Sequence, residues 1–272
     1  MAEPEPSIAP LGPVIGAEVT GLDLSGPLSP ETFKQLHAAW LKHLVLFFRD
    51  QELTLEQHKA FGRLWGELHI HPSVPSLKGH PEVLMIRTDE NSKRAAGYGW
   101  HSDVSCEAEP PAGSILRLEQ VPESGGDTLF ASMYAAYEAL SDHWQGFLSG
   151  LSAVHENKHV HGREGYGQME GREFRTNEHP MVRTHPETGR KALYVNSGFT
   201  TRIRGMRPAE SRATLEFLYQ HIQHPDFQCR FRWRPNSIAF WDNRCAQHHA
   251  TFDYFPQVRH GYRVTVAGDR PR

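Results

Sequence analysis

The chain has 272 residues, 38% of them hydrophobic, enough for a sizeable buried core in one domain spanning 1–272. Its 29 lysines and arginines nearly balance 32 acids, a net charge of −3, which excludes a nucleic-acid footprint and a polybasic membrane patch and leaves small molecules as partners. Three cysteines without a CxxC pair argue against a disulfide framework or thiolate zinc site, and an acidic, proline-rich start with no run of about 18 apolar residues argues against a signal peptide or membrane span; a reducing cytoplasm is the expected location.

Ser29 ahead of Pro30 predicts a helix cap, with Phe33, Leu36, Trp40 and Leu41 following at helical spacing. The apolar run Val45-Leu46-Phe47-Phe48 predicts a buried strand, and Thr54 with Gln57 forms a capping-box pattern ahead of Phe61, Leu64 and Trp65. Strand-like runs at 83–86, 100–106 and 114–118 precede a helical stretch at about 132–149. A charged, glycine-containing region at 155–178 has the character of a mobile lid. Strands are then predicted at 193–196, 229–233, 237–241 and 262–267, and a helix over 208–223 opened by Pro208. The expected fold is mainly β with flanking helices, an antiparallel sandwich or barrel in the jelly-roll range.

With 18 histidines and 32 acids, chance alone places about two His-x-acid triplets in a chain of this length. Four occur: His80-Pro-Glu82, His101-Ser-Asp103, His185-Pro-Glu187 and His224-Pro-Asp226. A central proline belongs in turns or at edges, so only His101-Ser102-Asp103 suits a paired strand, whose two-residue period would put both side chains on one face. Imidazole and carboxylate are two corners of the 2-His-1-carboxylate triad that holds non-haem Fe(II) with open positions. The third corner is expected after the strand Ile238–Trp241, from His248 or His249, between which spacing does not choose. Arg259 and Arg263, four apart in a strand-like stretch, face one side with Gly261 leaving space between them, an arrangement suited to carboxylate or sulfonate groups.

WHSDVS, PPAGSIL, GGDTLFASMYAAYEALS, HPMVRTHPETGRKALYVNSGFTTRI, RWRPNSIAFWDNRCAQHHA and DYFPQVRHGYR resemble, in order and spacing, the TauD/TfdA family of Fe(II)- and 2-oxoglutarate-dependent dioxygenases, over nearly the whole chain. The resemblance implies a double-stranded β-helix (jelly-roll) core, with His101, Asp103 and His248 as iron ligands and His249 as a neighbour that is not one. It implies Thr128 and Arg259 for 2-oxoglutarate, Arg263 and His71 for an anionic substrate group, and Phe199 in the pocket wall. Fe(II), 2-oxoglutarate and O2 follow as cofactor and cosubstrates, and a homo-oligomer as the expected assembly.

Two departures stand out. Val74 occupies the place of a tyrosine in taurine dioxygenase, and Gly97 that of an asparagine, so the pocket is expected to be roomier and ill suited to taurine. The candidate substrates are larger sulfonates, alkyl sulfate esters and aryloxyalkanoates. Two competing readings are a zinc-dependent hydrolase using the same ligands, which lacks an HExxH helix, and a non-catalytic anion-binding module on the same barrel.

Overall fold

Ser29 accepts the N–H of Thr32 at 3.1 Å and, with Pro30 at the first position, opens helix α1 (Pro30–His43). Thr54 and Gln57 close the reciprocal capping box that starts α2 (Leu55–Arg63). This computed structural model describes residues 5–71, 74, 76–158 and 174–272. The first strands are β1 (Ser7–Pro10), β2 (Ala17–Thr20), β3 (Val45–Phe48), β4 (Val83–Thr88), β5 (Gly113–Gln120) and β6 (Thr128–Ser132). After them come β7 (Ser152–Glu156), β8 (Thr176–Pro180), β9 (Val182–Thr184), β10 (Lys191–Leu193) and β11 (Thr200–Ile203). The last four are β12 (Gln228–Phe231), β13 (Ser237–Asp242), β14 (Ala246–Ala250) and β15 (Arg259–Val266).

Seven strands form one sheet in the order β1-β2-β3-β13-β5-β15-β4, and β12-β6-β14 form a smaller sheet. All pairings within the two sheets are antiparallel except β2 with β3. Strand alternation sorts the apolar side chains between two layers. Leu46, Phe48, Ile238 and Phe240 join the cluster of Trp40 and Phe61 under α1 and α2. Phe47 and Trp241 point the other way and meet Phe231 and Phe130 of the smaller sheet, with Phe47 stacked 4.0 Å from Phe231. The run Val45–Phe48 is uniformly apolar because both of its faces are covered. This is the expected jelly-roll sandwich with external helices, and no helix among the described residues is long and apolar enough to cross a membrane.

Several element boundaries differ from expectation. The stretch 132–149 divides into α3 (Met133–Glu138) and α4 (Asp142–Leu148), because Ser141 takes an extended conformation and caps a new helix. Helix α5 (Pro208–His221) follows its prediction. Past Leu193 the chain leaves the sheet, and the carbonyl oxygens of Asn196, side chain and main chain, accept from the N–H groups of Phe199 and Thr200 to close a turn. Of the region 155–178, residues 159–173 lie outside the described residues, whereas its flanks belong to paired strands: Glu156 of β7 faces Thr176 of β8.

Two buried histidines tie these layers together without charge. The His58 ring donates through Nε2 to the Ile115 carbonyl (3.1 Å), fastening α2 to β5, and His155 packs against Ser105 and Thr200. Burial pushes each imidazole from its ordinary 6.5 down to about 3. The unfolded chain therefore binds more protons between those values, so stability is full above pH 6.5 and declines as pH falls toward 3. Thermal denaturation followed by circular dichroism should show the melting temperature dropping over this window. His58→Gln, which keeps the bond to Ile115, should flatten the slope by about one proton, roughly 1.4 kcal/mol per pH unit; parallel wild-type and variant profiles would refute the assignment.

Candidate metal centre and its pocket

The segment 100–106 is not a strand. His101 makes a single antiparallel bridge with His248, each N–H bonding the other's carbonyl at 3.1 and 2.9 Å. Residues so opposed project side chains to the same face, and the two imidazole centroids lie 4.1 Å apart. The chain then turns sharply, with Val104 at φ 36°, a conformation that β-branched residues rarely adopt, held by the bond from Glu107 N–H to its carbonyl. It is this turn, rather than a strand's pleat, that brings Asp103 alongside the histidines. Asp103 Oδ1 lies 3.9 Å from His101 Nε2, and the ligand atoms of His101, Asp103 and His248 all fall within 4.8 Å of one another.

Burial by itself would push the Asp103 carboxyl up, but the Arg263 guanidinium (Nη1 to Oδ1 2.6 Å), the two imidazoles and the Ser114 hydroxyl (2.7 Å to Oδ2) hold it well below the usual range. It is an anion. His101 Nδ1 faces the Gly99 carbonyl at 2.8 Å, and since a carbonyl only accepts, that nitrogen carries the proton and Nε2 keeps its lone pair. Burial pushes both imidazoles below their ordinary value, in the neutral form a metal requires. His248 Nδ1 is buried without a hydrogen-bond partner. Two neutral imidazoles and one carboxylate crowded on one side of a cavity fit a non-haem Fe(II) centre. His249 sits on the opposite face of β14, packed against Tyr98 and Trp100, which decides between the two neighbouring histidines.

The remaining triplets lie in turns, as their prolines require. His224 caps a short 3-10 turn, and Glu82 pairs with Arg63. His185 joins a second compact group, with Asp242 and Cys245. Asp242 is already taken by Arg244 (2.9 and 2.7 Å) and His185 (3.0 Å), and His185 Nδ1 accepts two backbone N–H groups. Its proton is therefore on Nε2, so the His185 and Asp242 acceptors of this group are already committed to structural hydrogen bonds.

On β15, Arg259 and Arg263 face the space between the sheets, about 13 Å apart at a strand's rise of ~3.3 Å per residue. Gly261 between them does not open room: an added Cβ would fall 2.0 Å from the Arg117 carbonyl oxygen, so the glycine is demanded by a close approach of β5 where the register shifts. Arg259 is 3% exposed; its Nε donates to the Gly126 carbonyl (3.0 Å) and its Nη2 to the Thr128 hydroxyl (3.4 Å), which also accepts from Trp233 Nε1 (3.0 Å). Among the described residues no acid pairs with this buried guanidinium, an arrangement that an anionic ligand would complete. Thr128 lies opposite Ala250, two residues along β14 from His248, which puts the Arg259–Thr128 pair beside the candidate metal ligands.

Around the triad, Phe199 packs with Val104 and Cys106 and lies 6.3 Å from the His101 ring. Gly97, at φ 83°, faces the same ring: a Cβ there would stand 3.4 Å from Cε1 and 3.9 Å from Nε2, in contact with the imidazole. Val74 donates its N–H to His71 Nδ1 (3.0 Å), closing a local turn. His69, which sequence reasoning passed over, also feels the charges of Arg263 and Asp103; its backbone bonds Thr265 of β15, and burial is the main cause holding its imidazole below the ordinary value. Ser114 and Asn243 were also missed, since neither hydroxyl nor amide carries a spacing signal.

A model of the family described as taurine catabolism dioxygenase TauD, TfdA family, matches residues 7–265. The alpha-ketoglutarate-dependent sulfate ester dioxygenase of Pseudomonas putida is 34% identical over 278 residues, covering 98% of this chain and 91% of the relative. The (S)-phenoxypropionate/alpha-ketoglutarate-dioxygenase of Sphingobium herbicidovorans is 33% identical over 274 residues, covering 96% and 95%. The crystal structure of a taurine dioxygenase from Burkholderia xenovorans superposes with a TM-score of 0.85 at 40% identity, covering 98% of this chain and 93% of that one. With the triad assembled, a buried arginine awaiting an anion, and these likenesses running the length of the chain, the zinc hydrolase and binding-module readings fall away, and the protein belongs to the TauD/TfdA family of Fe(II)- and 2-oxoglutarate-dependent dioxygenases.

Proposed function

We propose that this dioxygenase hydroxylates the carbon next to the anionic group of an organic substrate larger than taurine, with alkyl sulfate esters as the first class, then sulfonates and aryloxyalkanoates. The observation that carries the reading is the pair of guanidiniums on β15, buried Arg259 beside Thr128 and part-buried Arg263 beside the triad. Arg259 and Thr128 hold the distal carboxylate of 2-oxoglutarate, and His101, Asp103 and His248 hold Fe(II). Bound there, iron and cosubstrate supply oxidative decarboxylation to succinate and carbon dioxide, coupled to hydroxylation of a C–H bond by O2. Arg263 keeps a buried Nε without a partner, a donor still to be spent, and with His71 it anchors the sulfate or carboxylate end. Phe199 walls the organic part, and Gly97, with no side chain beside the His101 ring, suits a longer chain than taurine's. Anchoring the anion fixes which carbon meets the metal, and hydroxylation of a carbon bearing a sulfate oxygen leaves a product that splits into aldehyde and sulfate. The relative from Pseudomonas putida, named for sulfate esters, and that from Sphingobium herbicidovorans, named for phenoxypropionate, support an anion-anchored substrate of this size.

The test is anaerobic titration of the apoprotein with Fe(II) and 2-oxoglutarate, watching for the weak visible charge-transfer band, then succinate formation under O2 with a panel of alkyl sulfates, sulfonates and aryloxyalkanoates. The expected result is a band, followed by stimulation by alkyl sulfates; absence of the band although Fe(II) binds would overturn the reading. Arg259→Gln should raise the KM for 2-oxoglutarate by about 100-fold, read from succinate formation against cosubstrate concentration. Arg263→Ala strips a buried carboxylate of its cation and should cost about 3 kcal/mol in chemical denaturation. Arg263→Lys should recover most of that stability while raising the KM for the alkyl sulfate at least about tenfold, because the planar fork is lost; an unchanged KM in the lysine variant counts against Arg263 as the anchor.

A further inference from the structure

The carboxylate that completes the triad is held by a hydrogen-bonded chain whose direction can be followed atom by atom. The Trp241 indole can only donate, and it donates to Asn243 Oδ1 at 2.9 Å. That bond orients the amide. Oδ1 also accepts the N–H of Asp103 (3.3 Å), so Nδ2 is turned toward Ser114 and donates to its Oγ at 2.9 Å. The single hydroxyl proton of Ser114 is left for Asp103 Oδ2, at 2.7 Å. Ser114 is 0% and Asn243 2% exposed, so water cannot replace any link, and Ser102 fastens the Asn243 carbonyl at 2.7 Å.

We infer that Ser114 and Asn243 are positioning residues for the metal centre, which commit Oδ2 of Asp103 to a hydrogen bond so that Oδ1 alone is presented to the ion. The inference rests on the dioxygenase reading above. A carboxylate with both oxygens free can occupy two coordination positions, whereas one tied oxygen leaves the second position for cosubstrate or O2. Oδ2 is turned back into β5, whereas Oδ1 faces His101 Nε2 (3.9 Å) and, although it accepts from Arg263 Nη1 (2.6 Å), keeps a second lone pair for an ion.

The experiment titrates apoprotein with Co(II), in the presence of 2-oxoglutarate, for the wild type, Ser114→Ala and Ser114→Thr, with thermal denaturation alongside. Ser114→Ala should weaken Co(II) binding by about 10- to 100-fold and alter the visible Co(II) bands, and Ser114→Thr, which keeps the hydroxyl, should stay within about threefold of wild type. A Ser114→Ala protein that melts earlier yet binds Co(II) with unchanged affinity and bands overturns the inference, since the chain would then serve only the fold. Should Ser114→Ala not fold, Ser114→Cys, similar in volume but a poor donor, carries the same expected loss. Failure of the wild type itself to take up Co(II) would defeat the dioxygenase reading, whereas wild-type uptake with an unaffected serine variant defeats the positioning role alone.

Discussion

A carboxylate 3% exposed between two sheets must be compensated on every side, and the centre of this protein is organised around that requirement of Asp103. One oxygen meets a guanidinium from β15 and the other a hydroxyl from β5, while its backbone N–H is taken by the Asn243 amide that follows β13. These neighbours come from three adjacent strands of the larger sheet, so the sheet's pairing and the ion's environment specify one another. The residual negative charge, aimed at two neutral imidazoles, is what makes a cation site of the cluster.

The smaller sheet supplies the second half of the site. Strand β14 carries His248 and β6 carries Thr128, and their antiparallel register sets the imidazole and the hydroxyl close together along the same cavity. The larger sheet answers with Arg263 against the triad and Arg259 against Thr128, both on the cavity face of β15. A four-residue spacing in one strand thus separates the guanidinium beside the triad from the one beside Thr128 by about 13 Å, with the candidate metal ligands alongside. The aromatic packing of Phe47, Phe130, Phe231 and Trp241 holds the two sheets against one another.

Much of this was legible in the residues. Capping residues placed α1 and α2, Pro208 placed the start of α5, the uniform Val45–Phe48 run placed a strand covered on both faces, and the absence of proline marked His101-Ser102-Asp103 out from three similar triplets. Other local readings gave way to contacts from afar. Segment 100–106 has strand-like composition, yet one bridge to His248 and the turn at Val104 override it. Gly261 suggested an open space and is instead a point of close backbone approach.

The sequence by itself determined the chemistry available: which side chains can ligate, which can bind anions, and which segments alternate, cap or turn, because those properties are local to a few neighbouring residues. Only the tertiary structure decided that His248 rather than His249 faces the cavity, that Asp103 arrives by a turn, and that Ser114 and Asn243 direct one of its oxygens. Those outcomes depend on strand register and on the partners of buried polar atoms, which are set by contacts more than 100 residues apart such as Asp103 with Asn243 and Arg263.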